Sequence, residues 1–578
     1  MRKFLTTACA AIAALSFAAC GGPSPSAAPI ALLETPQGPV QGVSTSDAGI
    51  YTFNGLPFAA PPVDNLRWAP PTAAPIWTET KDASKFGPRC MQPVLTEDGF
   101  ISRLIDGQGF GAFKTWLVKR VIASKSPSPM SEDCLYLNVR TGNLKGDKKK
   151  PVMVWIHGGG HQFGSGDTSF YQSNGLVQKD VILVTINYRL GVFGYMAHPS
   201  LSEADPNGVS GNYGTLDQIA ALNWVQDNIS AYGGDAQNVT IFGESAGAWS
   251  VTELMASPLA KGLFHKAIAQ SGASTYHLGQ LSGGDALWPS GYYMGERVAK
   301  SVGLSNPTAS ELRGVSADKI MQNLPDKAAD AFHHVRDGYV FPRNVGEAFR
   351  SGEINSVPFM AGYNSDEASL FFPDDPEPSV WIQGFPLDDK QAQIKSLNRA
   401  YPGQGEKLQT LYNLDTEFVS GGMQMMGDDI FGVNIRYAAR QNAALSQPTY
   451  TYFFTRIPAS EEQTLGAYHS AEIPFVFGDL LDQFGYTEND KILSETMMKY
   501  WTNFAKSGNP NGTNLPEWKQ HQKYNWMEFS ANYVGGQTGP RTAIRRDKLN
   551  ALETGLLKEL SELGAFTPQT PPMNEAGN

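Results

Sequence analysis

Cysteine is scarce in this chain: four occur in 578 residues, at positions 9, 20, 90 and 134. None forms a C-x-x-C pair and no H-E-x-x-H stretch occurs, so the contiguous zinc and redox signatures are absent. There is no internal repeat, no heptad run and no G-x-x-x-x-G-K phosphate loop. Basic residues are outnumbered, 45 Lys and Arg against 56 Asp and Glu, for a net charge of −11. That sign argues against a nucleic-acid partner, whose phosphates need a basic footprint. What the chain does have is 41% apolar residues, 17% charged ones, 59 glycines and 38 prolines. This is the composition of a globular protein with many loops. Its length alone would allow two to four domains, but no linker divides residues 30 to 560, which predicts one large domain.

The first twenty residues, "MRKFLTTACAAIAALSFAAC", differ from the rest. Two basic residues precede an apolar run of roughly 15, too short to span a bilayer as a mature helix and typical of an export signal. The segment ends in "FAAC", followed by the Gly/Pro/Ser tether "GGPSPSAAP". Small residues before Cys20 and a flexible segment after it resemble a bacterial lipoprotein cleavage site, although Phe17 stands where Leu is usual. Ordinary signal cleavage with a soluble periplasmic or secreted product is the alternative. The expected layout is a signal over 1–20, a tether over 21–30, one catalytic domain over 31–565 and a disordered tail over 566–578. In an exported chain the remaining cysteines, Cys90 and Cys134, read as a disulfide rather than two free thiols.

Near-continuous apolar runs, "PVMVWIHGGG" (151–160) and "VILVTINYR" (181–189), suit strands buried on both faces. "GTLDQIAALNWVQDNIS" (214–230) spaces Leu216, Ile219, Ala220, Leu222, Val225 and Ile229 as a helix. "NVTIFG", "KAIAQSG", "VPFMAGYN" and "TYTYFFTRI" read as further strands, and "AGAWSVTELMA" as a helix. This alternation predicts an α/β fold, a mostly parallel sheet with helices on both faces. The long stretches 275–350 and 366–445 are expected to carry lid and pocket helices.

Chemistry concentrates at "IFGESAGAWS". A strand feeding G-x-S-x-G and then a helix is the setting in which a serine at that corner, here Ser245, is presented for attack. "WIHGGG" offers backbone N–H groups that can face an oxyanion. A base is then needed, and His469 in "LGAYHSAEIPF" follows a late strand, where it could reach back over the sheet edge. In "GYNSDEASL" both Asp366 and Glu367 could orient it, and the residues alone leave that choice open.

From about residue 34 to 530 the chain resembles the type-B carboxylesterases and cholinesterases of the α/β-hydrolase fold. The resemblance is carried by "LRWAPP", "SEDCLYLNV", "WIHGGG", "VTINYRLGVFGY", "GNYGTLDQIAALNWVQDNISAYGGDAQNVTIFGESAGAWSV", "SDEAS", "LGAYHSAEIPFVFG" and "FAKSGNPNG". It implies Ser245 as nucleophile, His469 as general base and acid, and Glu367 as the orienting carboxylate. Gly159, Gly160 and Ala246 would supply the oxyanion N–H groups. Cys90 and Cys134 match the family's first disulfide, and Arg67 and Glu132 a family salt bridge. Two-step acyl transfer to water follows, with a small-molecule ester as substrate and no metal or cofactor required. Membrane contact is expected only through the lipid anchor.

Two departures stand out. His161 follows "HGGG" where the family has an apolar residue, which leaves the acyl-pocket lining open. The loop between Cys90 and Cys134 is long, and Ser124 stands where cholinesterases hold a cation-binding tryptophan, with Trp116 at a shifted position. Residues 95–130 carry five basic side chains (Arg103, Lys114, Lys119, Arg120, Lys125) against three acidic ones (Glu97, Asp98, Asp106). Neutral esters are therefore expected rather than choline esters. His157 reads as structural, His333 and His334 as non-catalytic, and Glu244 as either structural or electrostatic. The competing functions are amide, carbamate or lactone cleavage, and a catalytically silent binding ectodomain.

Overall fold

A computed structural model describes residues 30–563 other than 48, 94–99, 110–114, 116–118, 120–127, 143, 145–147, 276–277, 284–289, 325–331, 372–388, 458–462, 481–484, 523 and 531–537. The signal, the tether, the tail, Cys20, Trp116 and Ser124 lie outside the described residues.

Among the described residues a 13-stranded sheet forms the centre. Its middle is parallel, in the spatial order Ile182–Ile186, Lys150–Ile156, Gly234–Glu244, Lys266–Gln270, Phe359–Asn364, Thr449–Phe454 and Asn525–Phe529. Antiparallel strands flank it: Tyr136–Thr141, Tyr51–Pro57, Gly38–Ser44 and Ile30–Thr35 at one end, and Gly539–Thr542 at the other.

The apolar runs follow from burial on both faces. Along Lys150–Ile156, Val152, Val154 and Ile156 enter one core while Met153 and Trp155 enter the other, the two-residue alternation of a strand. The first core packs beneath helices Tyr213–Asn228, Ala246–Ala256 and Asn434–Ala444. The second packs beneath Ile473–Phe477 and Glu488–Ser507. A third cluster, around Trp68, Phe193 and Met294, lies under helices Gly291–Ser301 and Ala309–Arg313.

Helix Tyr213–Asn228 departs from the simple apolar-face reading. Leu216 and Ala220 are only half-buried, whereas Asp217 and Gln218 are fully buried. Asp217 receives a two-pronged contact from Arg189, with Nη2 to Oδ1 at 2.7 Å and Nε to Oδ2 at 2.8 Å. Gln218 donates to Ser250 Oγ at 2.9 Å. Packed on two sides, this helix can bury Asp217 and Gln218 because each has a hydrogen-bond partner.

The insertions between strands are helical, as expected. Residues 390–444 hold Lys390–Ala400, Gly405–Leu411 and then an unbroken helical stretch. In that stretch α-helix Phe418–Gly427 passes into a π-helical turn, Asp428–Val433, and back to α-helix Asn434–Ala444. Cys90 and Cys134 form a disulfide with Cα atoms 4.9 Å apart. Nearby, Arg67 Nη2 meets Glu132 Oε2 at 2.6 Å. Among the described residues, no helix is long and apolar enough to cross a membrane.

Candidate active site

Every chemistry-bearing segment leaves the C-terminal end of a parallel strand, where open α/β sheets place their ligand crevice. Strand Gly234–Glu244 delivers Ser245 directly into helix Ala246–Ala256. Ser245 has φ 56° and ψ −125°, a conformation that costs a non-glycine residue about 1–3 kcal/mol. Backbone contacts hold it there. Its N–H donates to Gln270 O at 2.9 Å, and its carbonyl accepts from Ala248 and Trp249 at 2.9 and 3.0 Å. The glycines at 243 and 247 are required by a close crossing. A Cβ on Gly247 would stand 2.0 Å from Ile156 O, and one on Gly243 2.5 Å from the Gly247 carbonyl carbon.

Strand Lys150–Ile156 runs into the glycine loop, where Gly159 and Gly160 take φ 105° and 61°. A Cβ on Gly159 would meet Phe163 O at 2.1 Å. Ala246 opens the helix, so its N–H has no acceptor within that helix. Gly158, Gly159, Gly160, Glu244, Ser245 and His469 help to line a cavity of about 490 Å³, and Ala246 adjoins it as the residue after Ser245.

His469 Nδ1 lies 2.6 Å from Glu367 Oε2, and Glu367 Oε1 accepts the Asn364 N–H at 2.6 Å. Asp366 has a different partner set. Its Oδ2 accepts from Ser365 Oγ at 2.6 Å and from the Ala467 N–H at 3.0 Å, pinning the loop that leads to His469. The geometry thus pairs Glu367, and not Asp366, with the imidazole.

The other ring nitrogen is turned toward a group that the sequence left undecided. His469 Nε2 is 3.1 Å from Glu244 Oε1 without hydrogen-bond alignment to any acceptor, and the same Glu244 oxygen accepts from Ser470 Oγ. Ser245 lines the same cavity, but no bond from its Oγ to His469 is formed. Burial would lower the His469 pKa, yet Glu244 and then Glu367 outweigh it and raise it to about 9. Burial pushes Glu244 up to about 8, against the opposing pull of His469. The two groups titrate as a coupled pair, each displaced upward.

Glu472 was missed by sequence reasoning. It is fully buried three residues beyond His469, accepting from Asn364 Nδ2 at 2.7 Å and Gln270 Nε2 at 3.1 Å. Its carboxyl is raised, first by burial and then by Glu367. The aromatic packing on His469 was missed too: Phe431 and Phe371 stand 4.8 and 5.0 Å from its ring centre. Phe431 and Ile430 reach the cavity from the π-helical turn. Asn434 stitches that turn, its amide donating to the carbonyls of Asp429 and Ile430 at 2.8 and 2.9 Å.

His161 does not line the cavity; Phe163 and Trp249 do. The histidine points behind the glycine loop, with Nε2 2.9 Å from Ser250 Oγ. His157 is structural in its contacts. Burial lowers it to about 4, and Nδ1 lies 2.8 Å from Gly158 O. His333 is exposed.

A mainly parallel sheet covered by helices on both faces, with a serine at a strained strand-to-helix corner and a His–Glu pair above neighbouring strand ends, defines an α/β-hydrolase. The chain belongs to the carboxylesterase family, whose profile it matches over residues 30–545. It is 33% identical to fumonisin B1 esterase of Sphingopyxis macrogoltabida over 515 residues, 87% of each chain. It is 36% identical to acylcarnitine hydrolase of Mus musculus over 579 residues, 94% of each. A solved PNB esterase superposes with TM-score 0.73 at 29% identity, covering 90% of this chain and 99% of the other. The carboxylesterase of Geobacillus stearothermophilus gives 0.71 at 30%, with the same coverage. The protein is a carboxylic ester hydrolase.

Proposed function

We propose that the chain is an exported serine esterase that cleaves neutral carboxylic esters through an acyl-enzyme on Ser245. The observation that carries this reading is the His469–Glu367 pair at 2.6 Å, with its free ring edge turned into the cavity that Ser245 lines. His469 removes the Ser245 proton as Oγ attacks the ester carbonyl. The Ser245–His469 hydrogen bond forms in the substrate complex, since catalytic hydrogen bonds commonly tighten only with substrate bound. The amides of Gly159, Gly160 and Ala246 hold the oxyanion, and Glu367 stabilises the imidazolium. His469 protonates the departing alcohol, and water then repeats the sequence on the acyl-enzyme.

The neutral-ester preference is supported by the cavity wall. Phe163, Phe170, Trp249, Phe371, Phe431 and Ile430 supply an apolar surface, and Arg89 contributes to the lining. Of the carboxylates there, Glu244 is held largely protonated by burial at neutral pH. The signal-like first twenty residues support export, and Cys20 is the proposed lipid attachment point.

Ser245→Ala is expected to lower turnover by on the order of a millionfold. An organophosphate should add mass at Ser245 alone in the unaltered enzyme. Substantial esterase activity in the alanine variant overturns the mechanism. A panel of esters, amides, carbamates and lactones at matched acyl groups tests the reaction class. For charge, acetylcholine is compared with 3,3-dimethylbutyl acetate at low salt. The neutral ester should have the equal or higher kcat/KM, and a roughly tenfold preference for the cation, about 1.4 kcal/mol, refutes the preference.

A further inference from the structure

Behind the glycine loop, three polar side chains from distant segments converge in the core. His161 comes from the loop itself, Glu253 from the helix that begins beside Ser245, and His334 from the position just before the short strand Val335–Arg336. They are 1%, 1% and 4% exposed. Each offers one nitrogen or oxygen, and the three atoms lie within 4.8 Å of one another. The two imidazole rings meet edge to face, 4.5 Å between centres. His161 holds a positive φ of 59°, an uncommon conformation for a non-glycine residue.

The facing atoms are poorly served by one another. His334 Nε2 and Glu253 Oε2 approach to 3.0 Å, yet neither has a hydrogen-bond partner in acceptable geometry. Two buried polar atoms this close, with their bonding directions not aimed at each other, are expensive unless a third group sits between them. Ligand atoms around a tetrahedral ion at about 2.0–2.1 Å lie about 3.3 Å apart, close to the 3.0 Å between His334 Nε2 and Glu253 Oε2. His161 Nε2 contacts the Ser250 hydroxyl, which also accepts from Gln218, the kind of second partner that orients a ligating imidazole.

We propose that His161, Glu253 and His334 form a structural site for a divalent transition-metal ion, with zinc favoured by two imidazoles and one carboxylate. A hard oxygen-seeking ion such as magnesium would not select two histidines. The ion would tie the loop carrying Gly159 and Gly160 to the helix that starts at Ala246 and to the 332–336 segment. It fixes these amides relative to one another and takes no part in bond breaking.

The test counts metal and needs no activity. Untagged full-length protein is produced in zinc-supplemented medium, passed through gel filtration in metal-free buffer and assayed by mass spectrometry of the elements. One zinc per chain is expected, falling by at least about tenfold in Glu253→Gln and in His334→Asn. Growth with cobalt should give the visible absorption of a tetrahedral cobalt(II) centre with nitrogen and oxygen ligands. Unaltered protein with far less than one metal per chain from both media overturns the proposal. So does a soluble variant that keeps the full metal content. If both variants are insoluble, the metal count and the cobalt spectrum of the unaltered protein decide alone.

Discussion

Glu244→Gln separates electrostatics from geometry at His469. The substitution keeps the shape of the side chain, and the amide oxygen can still accept from Ser470 Oγ. What it removes is an ionisable carboxyl 3.1 Å from His469 Nε2, whose attraction when ionised raises the His469 pKa. At an effective dielectric of about 20 the Coulomb attraction at that distance is about 5 kcal/mol, which caps the effect at about 4 pH units. The net effect is smaller, because burial keeps Glu244 protonated over much of the same range. A neighbouring charge ordinarily moves a pKa by about 1 to 3. The sign follows from the role of the base: protonated His469 cannot accept the Ser245 proton, so activity is lost as pH falls through its pKa. That pKa is raised to about 9 with Glu244 in place. The acid limb of kcat/KM for p-nitrophenyl acetate should therefore move down by about 1 to 3 pH units in the variant. The rate at pH 6 relative to the alkaline plateau should rise, while the melting temperature checks the fold. An acid limb that stays in place, or moves upward, refutes Glu244 as the main cause of the raised His469 pKa.

Glu367→Gln should cost far more activity than Asp366→Asn. The first weakens the contact to His469 Nδ1, and the second keeps an oxygen for the Ala467 N–H; the reverse order of kcat values would move the orienting acid by one residue. Replacing Cys90 and Cys134 together by serine should lower unfolding free energy by about 4 kcal/mol, from closing a loop of 44 residues. Denaturant titration measures this, and recovery of both as free thiols from a non-reduced digest of exported protein would sink the premise. Cys20→Ser should shift the protein from the membrane to the soluble fraction; unchanged partitioning favours ordinary signal cleavage.

The sequence was most legible where one element makes its own argument. The strand before Ser245 and the helix after it lie where the apolar run and the G-E-S-A-G spacing put them. The reason for Gly243 and Gly247 is visible only in the crossing at Ile156. Cys90 and Cys134 were readable from scarcity. Legibility ended where a group's state depends on a partner far away in the chain. Nothing in the sequence marks Glu472 until Gln270, 202 residues earlier, is seen against it. Asp217 and Gln218 occupy polar positions of a helical pattern, yet both are fully buried, because Arg189 and Ser250 arrive from other elements. The direction of His161 was unreadable for a related reason. A positive φ at that residue turns its side chain away from the cavity, and no local pattern encodes that turn.

The π-helical turn at Asp428–Val433 carries one more residue than the regular helix around it would need. Its side chains meet the cavity only in that register, Ile430 and Phe431 from the turn and Met426 from the turn before. Loss of a single residue there would let the helix close to its regular pitch at little cost to backbone bonding. The helix on either side would keep its register, and only the side chains of the turn itself would be re-aimed. A length change in this segment thus behaves as a discrete selector of which side chains face the acyl or alcohol group, leaving the sheet and the reacting atoms where they are. Substrate range in this chain can be altered by a step in register as well as by the replacement of one side chain with another.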